Sequence, residues 1–246
     1  MIGSDNKLFG LLGKDIGYSF SRNYFLKKFK AENLQCEYVN FDLENLSTFK
    51  SLLSRKDISG MNVTIPYKQE VIPFLDELDP VAKAIGAVNT IVFKDDKHFG
   101  YNTDHIGFQN TLLNHLKPHH KKALVLGTGG ASKAVCYVLK QLNIQVQKVS
   151  RSEGPDRKTY HQLSAKDYKE HTLLVNCTPL GTHPNTDAYP QIDYSQVNTE
   201  HFLYDLIYNP EVTAFMQIGK DKGATVLNGY HMLVEQAEVS WSLCMD

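Results

Sequence analysis

Short apolar runs alternate with amphipathic segments along the first hundred residues of the chain. Runs of alternating polarity, or runs that end at glycine or proline, predict strands, and segments with one apolar helical face predict helices. The predicted strands are Lys7–Gly13, Glu37–Leu43, Gly60–Pro66 and a hairpin of Ala87–Phe93 with Phe99–Asn102. The predicted helices run from about Asn23 to Glu32, with Ser21 as the cap, over Leu46–Leu53, and after Pro66 through Leu75. This alternation is typical of an α/β domain with a mostly parallel sheet.

A second series of elements begins at Ala123. A short apolar strand, the turn Gly127–Ser132, an apolar-periodic helix and a second strand ending at Ser150–Ser152 form a βαβ unit. Further strands are predicted at Leu173–Cys177, Phe202–Asp205 and Thr225–Leu227, and a last helix at Tyr230–Leu243. We expect the domains to divide near Tyr101–Asp104, with a helix from about Ile106 to Leu116 leading into the second domain and ligands bound in the cleft between the two.

The turn Gly127-Thr-Gly-Gly-Ala-Ser132 carries the clearest chemical signal. Glycine lets the backbone bend tightly and approach a pyrophosphate, which binds at the N-terminus of the following helix. The turn departs from G-x-G-x-x-G at Ser132, and a glycine-rich connection without a ligand is the alternative interpretation. NAD sites usually have an acid at the end of the second strand. This chain has Arg151 there, which favours the 2′-phosphate of NADP.

The composition excludes several classes of function. The chain has 246 residues, 42% of them hydrophobic, and a formal net charge of −1, which argues for a globular protein and against a nucleic-acid partner. The four cysteines lack C-x-x-C spacing, and the histidines, including His119 and His120, lack metal-ligand spacing, so no metal is expected. No signal peptide or long apolar run is recognised, which predicts a cytoplasmic location and no membrane partner.

Four motifs place polar side chains where apolar strands end. Ser19 and Ser21 follow the first strand, Lys68 follows Asn62-Val-Thr-Ile-Pro-Tyr, Asn89 lies in Gly86-Ala-Val-Asn-Thr90, and Asp104 ends Asn102-Thr-Asp. Each motif has a structural alternative. The serines and Asp104 suit helix caps, Asn89 suits a turn, and Lys68 suits a solvated helix start.

Taken together, these motifs resemble the shikimate dehydrogenase family, and the resemblance extends from Phe9 to Gln236. Its most specific pieces are Asn62–Lys68, Gly86–Thr90, Asn102–Asp104, Gly127–Ser132 and Asn176–Gly181. The resemblance implies a two-domain α/β protein. A mostly parallel α/β substrate domain over 1–103, completed by a C-terminal helix at 230–246, would precede a Rossmann-like NADP-binding domain over 104–229. It also implies the NADP-dependent, reversible reduction of 3-dehydroshikimate to shikimate by a monomer or homodimer.

The resemblance also implies roles for individual residues. Lys68 and Asp104 would be the catalytic pair, in which a lysine held by a carboxylate serves the developing alkoxide as acid–base group. The residues implied to hold the substrate carboxylate are Ser19, Ser21 and Tyr208. Those implied to bond the ring hydroxyls are Thr64, Asn89, Asp104 and Gln236. Those implied to line the cofactor are Gly127, Thr128, Gly129, Gly130, Ala131, Ser150, Arg151, Ser152, Leu206 and Gly229.

The chain departs from the family pattern around the two serines. Asp15 stands for a proline, Tyr18 for a histidine, Arg22 for a second proline and Tyr24-Phe25 for a His-Asn pair. Two alternatives therefore stay open. One is a quinate/shikimate dehydrogenase that uses NAD, against which Arg151 argues. The other is a non-catalytic metabolite sensor of the same fold, against which the presence of both Lys68 and Asp104 argues.

Overall fold

The structure is a computed structural model that describes residues 7–17 and 19–245. The described residues form two compact units. Unit 1 holds the residues through Thr103 and those from Ala237 onward, and unit 2 holds Asp104–Gln236. Tyr18, which stands for the family's histidine, lies outside the described residues. No helix within the described ranges is long and apolar enough to cross a membrane.

Unit 1 is built on a mixed six-stranded sheet with the order β2-β1-β3-β5-β6-β4. Its strands are β1 (Lys7–Gly13), β2 (Cys36–Asp42), β3 (Ile58–Val63), β4 (Glu77–Leu78), β5 (Thr90–Lys94) and β6 (Lys97–Tyr101). Its complete helices are α1 (Phe20–Ala31), α2 (Phe49–Leu53) and α3 (Pro80–Ile85). Strand β1 pairs in parallel with β2 and β3, whereas β5 pairs antiparallel with β3 and β6. The helix α8 (Tyr230–Met245) begins in unit 2 and contributes its residues from Ala237 onward to unit 1.

The core of unit 1 covers both faces of its sheet, because side chains alternate along β1. Phe9 and Leu11 pack with helix α1 and with the unit 1 part of α8, and Leu12 packs in a separate cluster with Phe49 and Met61. The burial of β1 on both faces explains why it reads as an unbroken apolar run in the sequence.

Two of the predicted helices in unit 1 differ from the structure. Helix α1 begins at Phe20 with Ser19 as its N-cap, so the prediction of Ser21 as the cap is wrong. The helix predicted after Pro66 through Leu75 is also wrong, since that segment consists of turns and a short 3-10 helix, Ile72–Phe74. Pro73 lacks the N–H that an α-helix needs at that position, which limits the segment to one turn.

Unit 2 is built on a fully parallel six-stranded sheet with the order β12-β11-β10-β7-β8-β9. Its strands are β7 (Lys122–Leu126), β8 (Gln145–Ser150), β9 (Arg157–Thr159), β10 (Leu173–Asn176), β11 (Phe202–Asp205) and β12 (Thr225–Leu227). Its further helices are α4 (Asp104–Leu113), α5 (Gly130–Gln141), α6 (Ala165–Glu170) and α7 (Ala214–Asp221). Counted from β7, the strand order is that of the Rossmann fold, and the order reverses between β7 and β10.

This reversal positions the candidate site of unit 2. In a parallel sheet, ligands bind outside the carboxyl ends of the strands at the point of reversal. The four residues Ala123–Leu126 of β7 are completely buried, with Val125 packed beside Phe108 on one face and Leu124 beside Phe215 on the other. The sheet is therefore a rigid base, and the loops after β7 and β10 form the rim of the crevice.

Candidate functional site

The turn after β7 requires glycine at its first position. Gly127 has a φ of +103°, and a Cβ added there would lie 3.1 Å from Cγ2 of Thr178 and 3.2 Å from the carbonyl carbon of Cys177. The Gly127 N–H donates to the carbonyl of Val149 at 2.8 Å, which ties the turn to β8. The turn thus lies directly against the loop that follows β10, at the reversal of strand order.

The helix α5 that follows this turn has no side-chain cap. Gly129 is its N-cap, and no described atom beyond its chain neighbours lies within 4 Å of the position where a Cβ would be added. The first N–H groups of an α-helix are unsatisfied by the helix itself and carry a partial positive charge. Open space beside uncapped N–H groups can hold an anionic group such as phosphate. Gly130 and Ala131 form the first turn of α5, and Thr128 is exposed beside them.

Ser132, the departure from the glycine pattern, does not disturb this arrangement. Its side chain is buried, and its hydroxyl donates to the carbonyl of Gly129 at 2.7 Å. The buried Ser132 side chain therefore stabilises the turn, and it does not occupy the open surface beside Gly129.

Four basic residues lie on or near the end of β8, and one of them, Lys148, is paired with Asp156 at 2.6 Å. Arg151 is exposed between Ser150 and Ser152 and, among the described residues, has no hydrogen-bond or ion-pair partner. The Arg157 guanidinium lies against Gly154 and donates to the carbonyl of Glu153 at 3.3 Å. Lys158 pairs with Asp167 at 2.6 Å. Burial acts to raise the pKa of Asp167, but hydrogen bonds from Lys158 and Ser164 outweigh it and lower the pKa to about 2.

The loops after β10 and β11 are joined by a buried polar cluster. Asn176 and Asp205 are both fully buried, and Asn176 Nδ2 donates to Asp205 Oδ1 at 3.0 Å. Burial raises the pKa of Asp205 to about 6, although hydrogen bonds to its carboxylate act in the opposite direction. Leu206 follows Asp205 and donates its N–H to the carbonyl of Asn176 at 3.0 Å. A Cβ at Gly229 would collide with the Leu206 backbone, so these two proposed cofactor residues are in direct contact.

In unit 1, the two serines lie at the start of α1. Ser19 Oγ accepts the N–H of Ser21 at 3.2 Å, and both residues are half-buried. The chain before them is held by Asp42, whose carboxylate accepts the N–H groups of Asp15 at 2.8 Å and Ile16 at 3.1 Å. Asp15 has a φ of 54°. A proline has neither this φ nor the N–H, so the backbone observed at Asp15 does not suit the proline of the family pattern.

A buried hydrogen-bond network lies behind the strand-end motifs of unit 1. The Tyr38 hydroxyl donates to Asn62 Oδ1 at 2.8 Å, and Asn62 Nδ2 donates to Ser240 Oγ at 2.6 Å. The Thr90 hydroxyl lies 3.0 Å from Ser240 Oγ and 3.2 Å from Asn89 Oδ1. The Thr103 N–H donates to that same Asn89 oxygen at 2.7 Å. The network fixes the orientation of the Asn89 amide.

Lys68, Thr64 and Asn89 are brought together by backbone hydrogen bonds of unit 1. The Val63 N–H donates to the carbonyl of Asn89 at 2.8 Å, and the Val88 N–H donates to that of Lys68 at 2.7 Å. Tyr67, buried beside Lys68, donates its hydroxyl to the carbonyl of Leu43 at 2.6 Å. The half-buried Lys68 therefore projects from a backbone that is held on both sides.

The remaining candidates belong to unit 2. Asp104 is the first residue of α4, Tyr208 lies in the loop after β11, and Gln236 lies in α8. Helices α4 and α8 pack closely at Gly107, where an added Cβ would lie 2.5 Å from the carbonyl oxygen of Met232 and 3.2 Å from the Gln236 nitrogen. Gln236 and the start of α4 are therefore neighbours within the unit.

Four residues that organise these sites had no role predicted from the sequence, namely Asp42, Asn62, Asp205 and Ser240. Asn62 and Asp205 lie at or near the ends of apolar strands, and that position was a usable signal for both. No sequence signal pointed to Ser240, because its partner Asn62 is 178 residues away.

Comparisons with known proteins find relatives that cover most of this chain. The family model described as the shikimate dehydrogenase substrate binding domain matches residues 11–91. A shikimate dehydrogenase (NADP(+)) of Clostridium beijerinckii is 38% identical, over 97% of this chain and 93% of the relative. One of Methanosphaera stadtmanae is 34% identical, over 96% of this chain and 90% of the relative. The crystal structure of shikimate 5-dehydrogenase from Thermus thermophilus, in complex with NADP(H) and shikimate, is similar with a TM-score of 0.86 at 29% identity. The similarity covers 97% of this chain and 93% of that one.

Proposed function

The chain belongs to the shikimate dehydrogenase family, and we propose that it catalyses the reversible, NADP-dependent reduction of 3-dehydroshikimate to shikimate. This reaction belongs to aromatic amino acid biosynthesis. One structural observation supports the use of a dinucleotide cofactor in addition to the family membership. The tight turn at Gly127 and the uncapped start of α5 lie at the reversal of strand order in unit 2, where a dinucleotide binds in this fold.

The residues of unit 2 fit NADP. The open space beside Gly129 and the start of α5, which has no side-chain cap, suit the pyrophosphate. Arg151, with Ser150 and Ser152 on either side, provides an unpaired cation and two hydroxyls for the 2′-phosphate at the end of β8. Leu206 and Gly229 form the opposite side of the crevice, on the loops after β11 and β12. Bound NADPH supplies the hydride, and the protein positions it.

The substrate is held by hydrogen-bond donors and acceptors on the strand-end loops. Ser19, Ser21 and Tyr208 bind its carboxylate, and Thr64, Asn89, Asp104 and Gln236 bind its ring hydroxyls. The support for Asn89 is the network that fixes its amide. The support for Ser19 and Ser21 is their place at the N-terminal end of α1, where the helix dipole favours an anion.

Lys68 and Asp104 act on the proton. In the direction of ketone reduction, the Lys68 ammonium donates a hydrogen bond to the carbonyl oxygen, stabilises the negative charge that develops there and transfers its proton to that oxygen, which gives the hydroxyl of the product. Asp104 orients the lysine. In the reverse direction the same lysine accepts the hydroxyl proton, as microscopic reversibility requires. Lys68 belongs to unit 1 and Asp104 to unit 2.

The proposed partners are small molecules, and no nucleic acid or membrane takes part. The formal net charge of −1 supports this, since a nucleic-acid partner would need a basic face. We further propose that the protein acts in the cytoplasm as a monomer or homodimer.

The test is to follow NADPH formation from shikimate by the purified protein, with quinate and NAD in parallel reactions. The proposal requires shikimate-dependent reduction of NADP, with a higher kcat/KM than for quinate or for NAD. Preferred turnover of quinate with NAD would assign the chain to the alternative activity. Binding of shikimate without turnover of either cofactor would mean that the protein is a sensor.

A further inference from the structure

We propose that Asp205 is a positioning residue of the cofactor site, holding the loops after β10 and β11 in the form that receives the nicotinamide half of NADP. The inference rests on the proposed function. Asp205 is the last residue of β11, where no solvent reaches it. Asp205 has no role in the proposed hydride and proton transfer.

The Asp205 carboxylate connects three separate segments. It accepts Asn176 Nδ2 at 3.0 Å from the end of β10, and the Ile207 N–H at 3.0 Å from its own loop. It accepts the Thr213 hydroxyl at 2.6 Å from the start of α7. All three donors are uncharged. Among the described residues, the charge of Asp205 acts on the titratable side chains of Cys177 and Tyr194, neither of which is a cation. A buried carboxylate with no cationic partner is costly, so its presence here needs a specific reason.

The bond from Asn176 leads directly to residues of the crevice. Asn176, held by Asp205, accepts the Thr178 N–H at 3.0 Å and the Thr178 hydroxyl at 2.7 Å on its side-chain oxygen. The Thr178 methyl group in turn packs against Gly127. The Asn176 carbonyl accepts the N–H of Leu206. The Asp205 carboxylate thus holds the Asn176 side chain, and through it the start of the loop after β10.

The sheet order predicts which half of the cofactor depends on Asp205. Strands β8 and β10 lie on opposite sides of β7, so Arg151 is on one side of the reversal point and Asp205 with its loops is on the other. A dinucleotide spans this point, with its pyrophosphate at the glycine turn. If Arg151 binds the 2′-phosphate, the nicotinamide half lies over the loops that Asp205 holds.

The experiment compares NADPH with adenosine 2′,5′-bisphosphate, which carries the 2′-phosphate but no nicotinamide. Dissociation constants of both ligands are measured for the wild type, Asp205→Ala and Asp205→Asn. The asparagine variant keeps the shape and can still accept from Ile207, so it protects the test against a variant that fails to fold. Asp167→Asn is the matched control, because Asp167 is another buried carboxylate of unit 2 that accepts hydrogen bonds from Lys158 and Ser164.

We expect Asp205→Ala to weaken NADPH binding on the order of ten-fold, the scale on which misplaced site loops act. Asp205→Asn should recover part of that loss, and the fragment should bind all Asp205 variants as it binds the wild type. The Asp167 control should lower the thermal stability and leave both affinities unchanged. Unchanged NADPH affinity in Asp205→Ala, or an equal loss for NADPH and the fragment, overturns the inference. A wild type that binds neither ligand refutes the proposed cofactor itself, and the inference with it.

Discussion

Replacing Arg151 by alanine removes a cation from the end of β8 without breaking an internal contact. The side chain is exposed, and none of its described neighbours forms a hydrogen bond or ion pair with it. Its charge acts on Tyr160, where burial raises the pKa of the hydroxyl and Arg151 partly opposes that rise. Because nothing in the fold depends on the guanidinium, we expect the free energy of unfolding to stay within about 0.5 kcal/mol of the wild type.

The effect on cofactor choice follows from the exposure of the side chain. A hydrogen bond to a charged group contributes about 1.5–3 kcal/mol. Solvent screens the exposed Arg151 charge, which places it at the lower end of that range. A loss of about 1.5 kcal/mol corresponds to a roughly ten-fold weaker affinity for NADP. NAD carries no 2′-phosphate, so its affinity should not change.

The assay is kcat/KM for NADP and for NAD in the wild type and in Arg151→Ala, with dissociation constants of NADPH and NADH measured alongside. Lys158→Ala is the matched control. Lys158 is also basic and close in sequence, but it is engaged with Asp167 at 2.6 Å. Its loss should cost stability by leaving a buried carboxylate without its cation, and it should leave the NADP/NAD ratio unchanged.

The reasoning is refuted if the ratio of kcat/KM for NADP over NAD is the same in Arg151→Ala as in the wild type. A change of that ratio in Lys158→Ala would show that the ion pair with Asp167 opens and that Lys158 reads the phosphate.

Three further outcomes are expected. Lys68→Ala should lower kcat by roughly 10²–10⁴-fold through loss of the acid–base group, with the NADPH dissociation constant unchanged, as steady-state kinetics and ligand titration will show. Gly127→Ala should destabilise the protein by about 1–3 kcal/mol, because its φ of +103° is unfavourable for alanine. Urea unfolding measures that cost, and an unchanged midpoint contradicts the geometry of the turn. Burial holds the pKa of His120 down to about 4, from 6.5, and its Nδ1 accepts the Lys117 N–H, so the neutral form stabilises the fold. That contribution is present above pH 6.5 and is lost as the pH falls through about 4. The free energy of unfolding of the wild type should therefore fall, relative to that of His120→Asn, by up to about 3 kcal/mol between pH 6.5 and about pH 4. A difference between the two proteins that does not change with pH would refute this expectation.

The sequence alone determined the elements whose signals are local. The strands β1, β11 and β12 were predicted with the bounds that the structure has, since buried strands read as short apolar runs between glycine, proline and polar residues. The glycine turn and the α5 helix after it were recognisable for a similar reason. A tight turn with a positive φ requires glycine at one defined position, and that glycine can be recognised in the sequence.

Helix starts and short elements needed the structure. The start of α1 was misplaced because Ser19 and Ser21 are both good caps, and the packing of Phe25 and Phe29 against the sheet decides between them. The short helices α3, α6 and α7 escaped prediction. Such helices are marginally stable on their own and are stabilised by tertiary packing. In α7, for example, Phe215 packs in one cluster with Leu124 and Leu203 of the unit 2 sheet.

The polar clusters were decided only by the tertiary structure. Asn176 and Asp205 are 29 residues apart in the chain, yet they are register partners at the ends of adjacent parallel strands. Asn62 and Ser240 meet across 178 residues. A hydrogen bond needs two atoms within about 3 Å of each other, and strand order and register set that distance. A sequence pattern shows which side chains carry the chemistry, and only the folded sheet determines which of them meet.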